Sequence, residues 1–167
     1  MKLLKLLIII FFLNINFSYS KDKIAFINLD FVLQNSKIGK SVLAEIENLN
    51  NQNIRELQLK ESELKKIEED IKNKQNIISQ DEFQKEVNLL KEKIKKFRNT
   101  KDQLVRNFEK EREKGLNDFF LKINPVIQNY MDQNSIEILL ERKNVFIGKN
   151  DSDITKDIIN EINEKIK

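Results

Sequence analysis

The sequence predicts an α+β fold that is mostly helical, a long antiparallel coiled-coil hairpin attached to a small β-sheet base. Two observations predict the hairpin: apolar heptad runs over residues 40–78 and 83–115, and a polar turn signal between them. A third predicts the base, because short strand-like segments lie near both ends of the chain. We therefore divide the chain into an export signal (1–20), a base (21–39 and 121–167) and an arm (40–120) with its turn near 79–82.

The N-terminus has the three-part layout of a secretory signal. Two lysines precede an unbroken apolar run at residues 6–13, and Ser18-Tyr19-Ser20 places small residues at the positions that a signal peptidase reads. A retained membrane anchor is the alternative, but residues 3–17 are shorter than the ~20 apolar residues that a membrane-spanning helix needs. The sequence thus predicts export to the periplasm and a mature chain that begins at Lys21.

The composition argues against an enzyme. The chain has no His and no Cys, so the commonest metal ligand and the usual general base are missing, and its three glycines form no phosphate-binding loop. We expect no catalytic residues, no metal and no cofactor. The whole chain has 30 basic and 27 acidic residues, and removal of the two signal lysines leaves 28 against 27, a net charge of +1. Such a balance gives no general attraction to nucleic acid, so we expect no nucleic-acid partner.

The first element of the mature chain is a predicted strand at residues 23–30 (KIAFINLD). Ile24 and Phe26 point to one face of this strand, and Ala25 and Ile27 point to the other. Apolar side chains on both faces indicate a strand that is buried on both sides.

The arm is predicted from its heptads. Alternate steps of three and four from Leu43 to Ile78 meet seven aliphatic side chains in eleven positions, and the same rule from Phe83 to Gly115 meets seven apolar side chains in ten. Such runs pair along a narrow apolar seam. The polar residues at seam positions are Asn50, Asn53, Lys60, Lys74, Lys101 and Glu111.

The segment Ser79–Glu82 predicts the turn of the hairpin. The first helix is expected to end at Ile77 and Ile78, and Ser79 or Asp81 is expected to cap the second. The two helices then fold back on each other in an arm of roughly 60 Å. A single continuous dimeric coiled coil is the alternative, against which the turn signal and the flanking strands argue.

The C-terminal region predicts a β-hairpin and a last helix. The strands are expected at residues 135–140 and 145–148, around a turn at 141–144, and Asp153 is expected to cap the helix. One small three-stranded sheet cannot bury both of its faces. It therefore packs on its own helices or joins the sheets of other chains.

Together these features resemble the Skp/OmpH family of periplasmic chaperones. The resemblance rests on the opening strand KIAFIN at 23–28, Gly39-Lys40 where the arm begins, the hairpin, the closing strands, and Asp153-Ile154-Thr155 before the last helix. It covers nearly the whole chain and implies a homotrimer whose strands form a small barrel. Three hairpins would surround a cavity that holds unfolded outer-membrane proteins without ATP, for delivery to the outer-membrane assembly machinery. The near-neutral mature chain departs from the strongly basic relatives.

Client contacts are expected at the tip of the arm and on a basic stripe, residues 91–106, which has seven basic and two acidic residues. The stripe could attract acidic clients or lipid phosphate, or it could be a solvated coiled-coil face. The residues expected to contact clients are Ile77, Ile78, Phe83, Lys91, Lys93, Lys95, Lys96 and Arg98. The residues expected at the oligomer interface are Ile24, Phe26, Ile27, Val145 and Phe146.

Two other functions stay open at this point. One is a structural adaptor of the cell envelope whose hairpin docks onto a fixed partner. The other is a peripheral binder of anionic lipid or endotoxin that uses the basic stripe.

Overall fold

The computed structural model describes residues 23–166, and a helical arm rises there from a small sheet. Its elements are β1 (Lys23–Ile27), α1 (Leu29–Asn35), α2 (Lys37–Lys74), α3 (Gln80–Gln133), β2 (Ile136–Glu141), 3₁₀ turns at Arg142–Asn144 and Asn150–Ser152, and α4 (Thr155–Lys165). The mostly helical α+β class is confirmed. None of the helices within residues 23–166 is long and apolar enough to cross a bilayer. The predicted export signal and the cleavage before Lys21 lie outside the described residues.

Helices α2 and α3 form the predicted hairpin. Their contacts run in opposite directions: Val42 lies opposite Gly115 near the base, whereas Lys74 reaches Glu86 near the tip, with 3.5 Å between Nζ and Oε1. This antiparallel packing excludes the alternative of one continuous coiled-coil helix. At ~1.5 Å per residue, the 38 residues of α2 span about 57 Å.

The apolar seam is confirmed, with its register displaced by one residue in two places. The seven aliphatic positions predicted on the first helix are all buried or half-buried. Leu49 takes the place predicted for Asn50, and Thr100 takes the place predicted for Lys101, so both predicted polar positions are exposed. The departures are local, because the seam returns to the predicted positions at Asn53 and Leu104.

The turn lies at residues 75–79, earlier than predicted. Helix α2 ends at Lys74, and α3 is capped by Ser79 rather than Asp81. The Ser79 hydroxyl accepts the backbone N–H of Glu82, whose carboxylate accepts the N–H of Ser79, both at 3.3 Å. This capping box satisfies N–H groups that would otherwise lack partners, so residues 80–82 begin the helix instead of forming the turn.

Strand β1 pairs with β2 in parallel, from Lys23 opposite Ile136 to Ile27 opposite Glu141. Parallel neighbours require a long crossover connection, and here the whole arm is that crossover. The strand is shorter than predicted because Asn28 caps α1, with its side-chain oxygen accepting the N–H of Phe31 at 3.0 Å.

Burial on both faces of β1 is confirmed for its second half. Ala25, Phe26 and Ile27 are consecutive and all buried, whereas Ile24 is half exposed. Consecutive residues of a strand point to opposite faces, so both faces are covered at this end.

The prediction of a third strand at 145–148 is wrong, and so is the β-hairpin that contained it. After the 3₁₀ turn the chain crosses over Phe26: the Arg142 guanidinium lies 4.7 Å from the Phe26 ring centroid, and Gly148 packs on the same ring. Residues 145–148 therefore do not form a strand beside β2. The free edge of β1 is occupied instead by Ile154, whose N–H donates to the carbonyl of Phe26 at 3.0 Å. Phe146 is consequently fully exposed.

The buried core of the base lies between the sheet and the lower part of the arm. It comprises Ala25, Ile27, Val32, Phe119, Ile123, Val126, Ile127, Ile136, Ile154, Ile158, Ile159 and Ile162. Helix α4 docks here, and the Asp153 carboxylate accepts the N–H of Thr155 at 3.0 Å, although the N-cap position itself belongs to Ile154. Tyr130 of α3 donates to Asp157 of α4 at 3.2 Å, and burial and this carboxylate raise the Tyr130 pKa. The base thus fixes the root of the arm.

Candidate functional site on the helical arm

The tip of the arm presents one of the three predicted apolar residues to solvent. Ile77 lies in the turn and is 80% exposed. Ile78 and Phe83 are half-buried, because both are seam residues that close the end of the hairpin. Only Ile77 therefore offers a large apolar surface at the tip without local opening.

The basic stripe does not form one continuous face, because the helical period divides it. The five predicted side chains, Lys91, Lys93, Lys95, Lys96 and Arg98, are all exposed. Lys93 and Lys96 lie three residues apart on the flank that faces α2, where they line the same cavity as Lys60. Lys91, Lys95 and Arg98 follow i, i+4, i+7 spacing and so lie on the opposite flank of α3.

The positive charges of this stripe are available for a ligand. Within residues 23–166, none of the five predicted basic side chains has a carboxylate within ion-pair distance. On α2 the situation differs, since Lys60 and Lys65 pair with Glu56 and Glu61 at 2.9 and 3.2 Å. Unpaired cations on α3 can attract an acidic chain over about a Debye length, ~8 Å at physiological salt.

Isolated apolar side chains also line the outside of the arm, and sequence reasoning missed them. Ile54, Leu59, Leu89 and Val105 lie off the seam and are exposed, Leu59 by 67%. Their signal in the sequence is that they are aliphatic residues outside the heptad positions. They are spread along the two helices, so the arm presents scattered apolar contacts rather than one patch.

The predicted interface residues of the base fall into two groups. Phe26 and Ile27 are buried in the core of the chain itself, which leaves little of their side chains for a partner. Ile24 and Phe146 are exposed, and Val145 is half-buried. Sequence reasoning missed Ile138, Leu140 and Ile147, which extend the exposed apolar surface of the base.

Metal chemistry finds no support in the arrangement of acidic side chains. Within the part of the chain that the structure describes, no group of three or more Asp and Glu side chains could hold a metal ion. Three acidic groups of α2, Glu56, Glu61 and Asp70, instead pair with a lysine one turn away.

A paired-helix arm rooted in a small parallel sheet, with exposed apolar and basic side chains along it, defines an arm-bearing α+β protein. The sequence model of the family described as "Outer membrane protein (OmpH-like)" matches residues 23–162, so this chain belongs to the OmpH-like family. A solved structure described as an OmpH-like outer membrane chaperone from Caulobacter crescentus CB15 has the same fold, with a TM-score of 0.81 and 20% sequence identity. The alignment covers 88% of this chain and 87% of that chain. Comparison with curated proteins gave no match.

Proposed function

We propose that this protein is a periplasmic holding chaperone. It binds unfolded outer-membrane proteins without ATP and keeps them soluble until they reach the outer-membrane assembly machinery. Membership of the OmpH-like family supports this proposal. The observation that carries it is the surface of the arm, where exposed apolar side chains lie near lysines of α3 that have no carboxylate within 4 Å among residues 23–166.

Such a surface suits a chaperone that must release its cargo spontaneously. Each ~1.4 kcal/mol of binding free energy changes affinity tenfold, so release without ATP requires individually weak contacts. A fully buried aliphatic side chain is worth about 1.5–3 kcal/mol, and side chains such as Leu59 and Ile77 would be only partly covered by a mobile cargo. Several weak contacts on linked arms then add up through effective concentration.

The base supports a homotrimer, with strands joined in a barrel and three arms around a cavity. Within residues 23–166 the sheet consists of β1 and β2 alone, and in the proposed trimer the strands of other chains would extend it. The base also exposes apolar side chains, and burying them would favour association. They are Ile24, Ile138, Leu140, Phe146 and Ile147.

The test is whether the mature protein prevents aggregation of an outer-membrane barrel protein diluted from urea, followed by light scattering. A matched variant lacks residues 60–100, with Leu59 joined to Lys101 through a short glycine loop. Leu59 and Lys101 are the sequence neighbours of Lys60 and Thr100, which line the same cavity from the two helices, so a short loop can join them. We expect this variant to keep its oligomeric state and lose holding. Equal protection by both proteins would make the arms spacers and favour the envelope adaptor, whereas binding to anionic vesicles without protection would favour the lipid binder.

A further inference from the structure

A groove opens between the two helices halfway along the arm. Its floor is apolar and consists of Leu64 and Ile67 of α2 and Phe97 of α3. Lys93 and Lys96 stand at its rim, and its volume is about 190 Å³. We call this feature the mid-arm groove.

The groove exists because one layer of the seam is not filled by apolar side chains. Lys60 and Thr100 face each other at this level. Lys60 turns outward to Glu56, with 2.9 Å between Nζ and Oε1, and the Thr100 hydroxyl turns back to the carbonyl of Lys96 at 3.0 Å. Both polar groups thus bond to their own helix, and this layer lacks the apolar side chains of the neighbouring Leu64 and Phe97.

The rim of the groove carries an uncompensated positive charge. Lys60 is neutralised by Glu56, and Glu63 is the acidic residue that lines the groove. Within residues 23–166, neither Lys93 nor Lys96 has a carboxylate within 4 Å. An apolar floor beside two unpaired ammonium groups is complementary to an apolar side chain next to a carboxylate.

The volume of the groove is enough for one large side chain. A cavity of about 150 Å³ accommodates a benzene ring, so about 190 Å³ suits one aromatic or large aliphatic side chain. A second cavity of about 270 Å³ continues toward the tip and shares Ile67 and Lys93 with the first. Its further lining is apolar at Ile71, Leu89 and Leu90 and charged at Asp70, Lys74 and Glu86. An extended chain places alternate side chains on one face and could use both cavities.

We propose that the mid-arm groove binds an extended, unfolded polypeptide segment that has an apolar side chain, preferably aromatic, within two residues of a carboxylate. The apolar side chain lies on Leu64 and Phe97, and the carboxylate contacts Lys93 and Lys96. This inference rests on the proposed function and specifies which client segments the arm prefers.

The first test uses a variant in which apolar side chains fill the groove and the arm stays stable. The double variant Lys60→Leu, Thr100→Leu places two apolar side chains in the open layer, which should raise or preserve the melting temperature. The probe is a soluble Gly-Ser peptide with one Phe followed by one Asp, titrated into ¹⁵N-labelled protein by NMR. We expect the wild type to show shifts at the amides of Phe97 and Thr100, and the filled variant to bind at least ten times more weakly.

A second pair of variants tests the charge. Lys93→Gln, Lys96→Gln should weaken binding of the Phe-Asp peptide severalfold and leave a Phe-Asn peptide unaffected. Lys101→Gln, Lys110→Gln removes the same charge from α3 outside the groove and should have little effect. Peptide binding that persists in the filled variant overturns the inference, as does an equal effect of the two lysine pairs. If the filled variant loses binding to phosphatidylglycerol vesicles but still binds the peptide, the groove is a lipid site and the inference is also overturned.

The urea-dilution assay on the same proteins distinguishes failure of the groove inference from failure of the proposed chaperone function. If the wild type keeps the barrel protein soluble but the peptide does not bind the groove, the inference fails and the proposed function stands. If the wild type gives no protection, the proposed function itself fails.

Discussion

Gly39 is the position where a single methyl group should have the largest effect on the joint between α1 and α2. A Cβ at this position would lie 2.0 Å from the carbonyl oxygen of Leu33 and 2.8 Å from the Ser36 hydroxyl. Carbon–oxygen contacts normally begin near ~3.3 Å, so one backbone segment would have to move by about 1.3 Å. Both sides of this joint are fixed, because Val32 and Ser36 are fully buried.

Gly39→Ala should therefore destabilise the protein by about 3 kcal/mol, the upper part of the usual cost of overpacking. For a chain of this size that corresponds to a fall in melting temperature of roughly 6–12 °C. The assay is thermal unfolding of residues 21–167 by circular dichroism at a fixed protein concentration, since an oligomer melts in a concentration-dependent way.

Gly115→Ala provides the matched control, because it is the same change inside a helix. A Cβ there meets only the Val42 side chain, at an ordinary 3.6 Å. Alanine also favours the helix over glycine by about 0.5–1 kcal/mol, so this variant should melt about 1–4 °C higher than the wild type. If Gly39→Ala melts at or above the wild-type temperature, the close approach at Leu33 does not constrain the joint and the reasoning is refuted.

Three further outcomes are expected. Mass spectrometry of the exported protein should show Lys21 as the first residue, and an intact Met1 on a membrane-bound species would contradict export with cleavage. Phe146→Asp should dissociate the proposed trimer in light scattering while leaving each chain folded, because this side chain is fully exposed within one chain and an unpaired charge is costly in an apolar interface. A variant that stays trimeric would remove Phe146 from the proposed interface. Reversal of Lys95 and Lys96 to Glu should slow client capture more than it speeds release, with the difference shrinking at high salt. An unchanged capture rate in stopped-flow measurements would make the stripe a solvated face.

Controls for two of these outcomes lie on the same chain. Leu121→Asp also places a charge on an exposed apolar residue, but on α3 away from the sheet, and should leave the trimer intact. Lys149→Glu, Lys156→Glu changes the net charge as much as the arm reversal does, but at exposed positions of the base, and should leave capture unchanged.

Much of the arm could be predicted from the sequence because its determinants are local. The heptads determine which face of each helix is buried, and Ser79 and Glu82 cap the second helix through contacts between residues three apart. The individual sites were harder to predict. The seven basic residues of the stripe lie within sixteen positions of the sequence, but the helical turn places Lys93 and Lys96 on one flank and Lys91 and Lys95 on the other.

The base was decided by contacts between residues far apart in the chain. Pro125 would ordinarily break a helix, yet α3 continues to Gln133 because Ile123, Val126 and Ile127 around it are buried against the core. Residues 145–148 have the composition of a strand, but the chain is drawn over Phe26 and Ile154 occupies the free edge of β1.

The sequence by itself therefore determined the elements whose energetics repeat every few residues, namely the two paired helices, their turn and the apolar segments of the base. The tertiary structure decided which segments became strands, which cations share a flank and where the seam opens at Lys60 and Thr100. The physical reason is that helix pairing follows a short-range period, whereas strand pairing and cavity formation depend on which distant backbone edges and side chains meet.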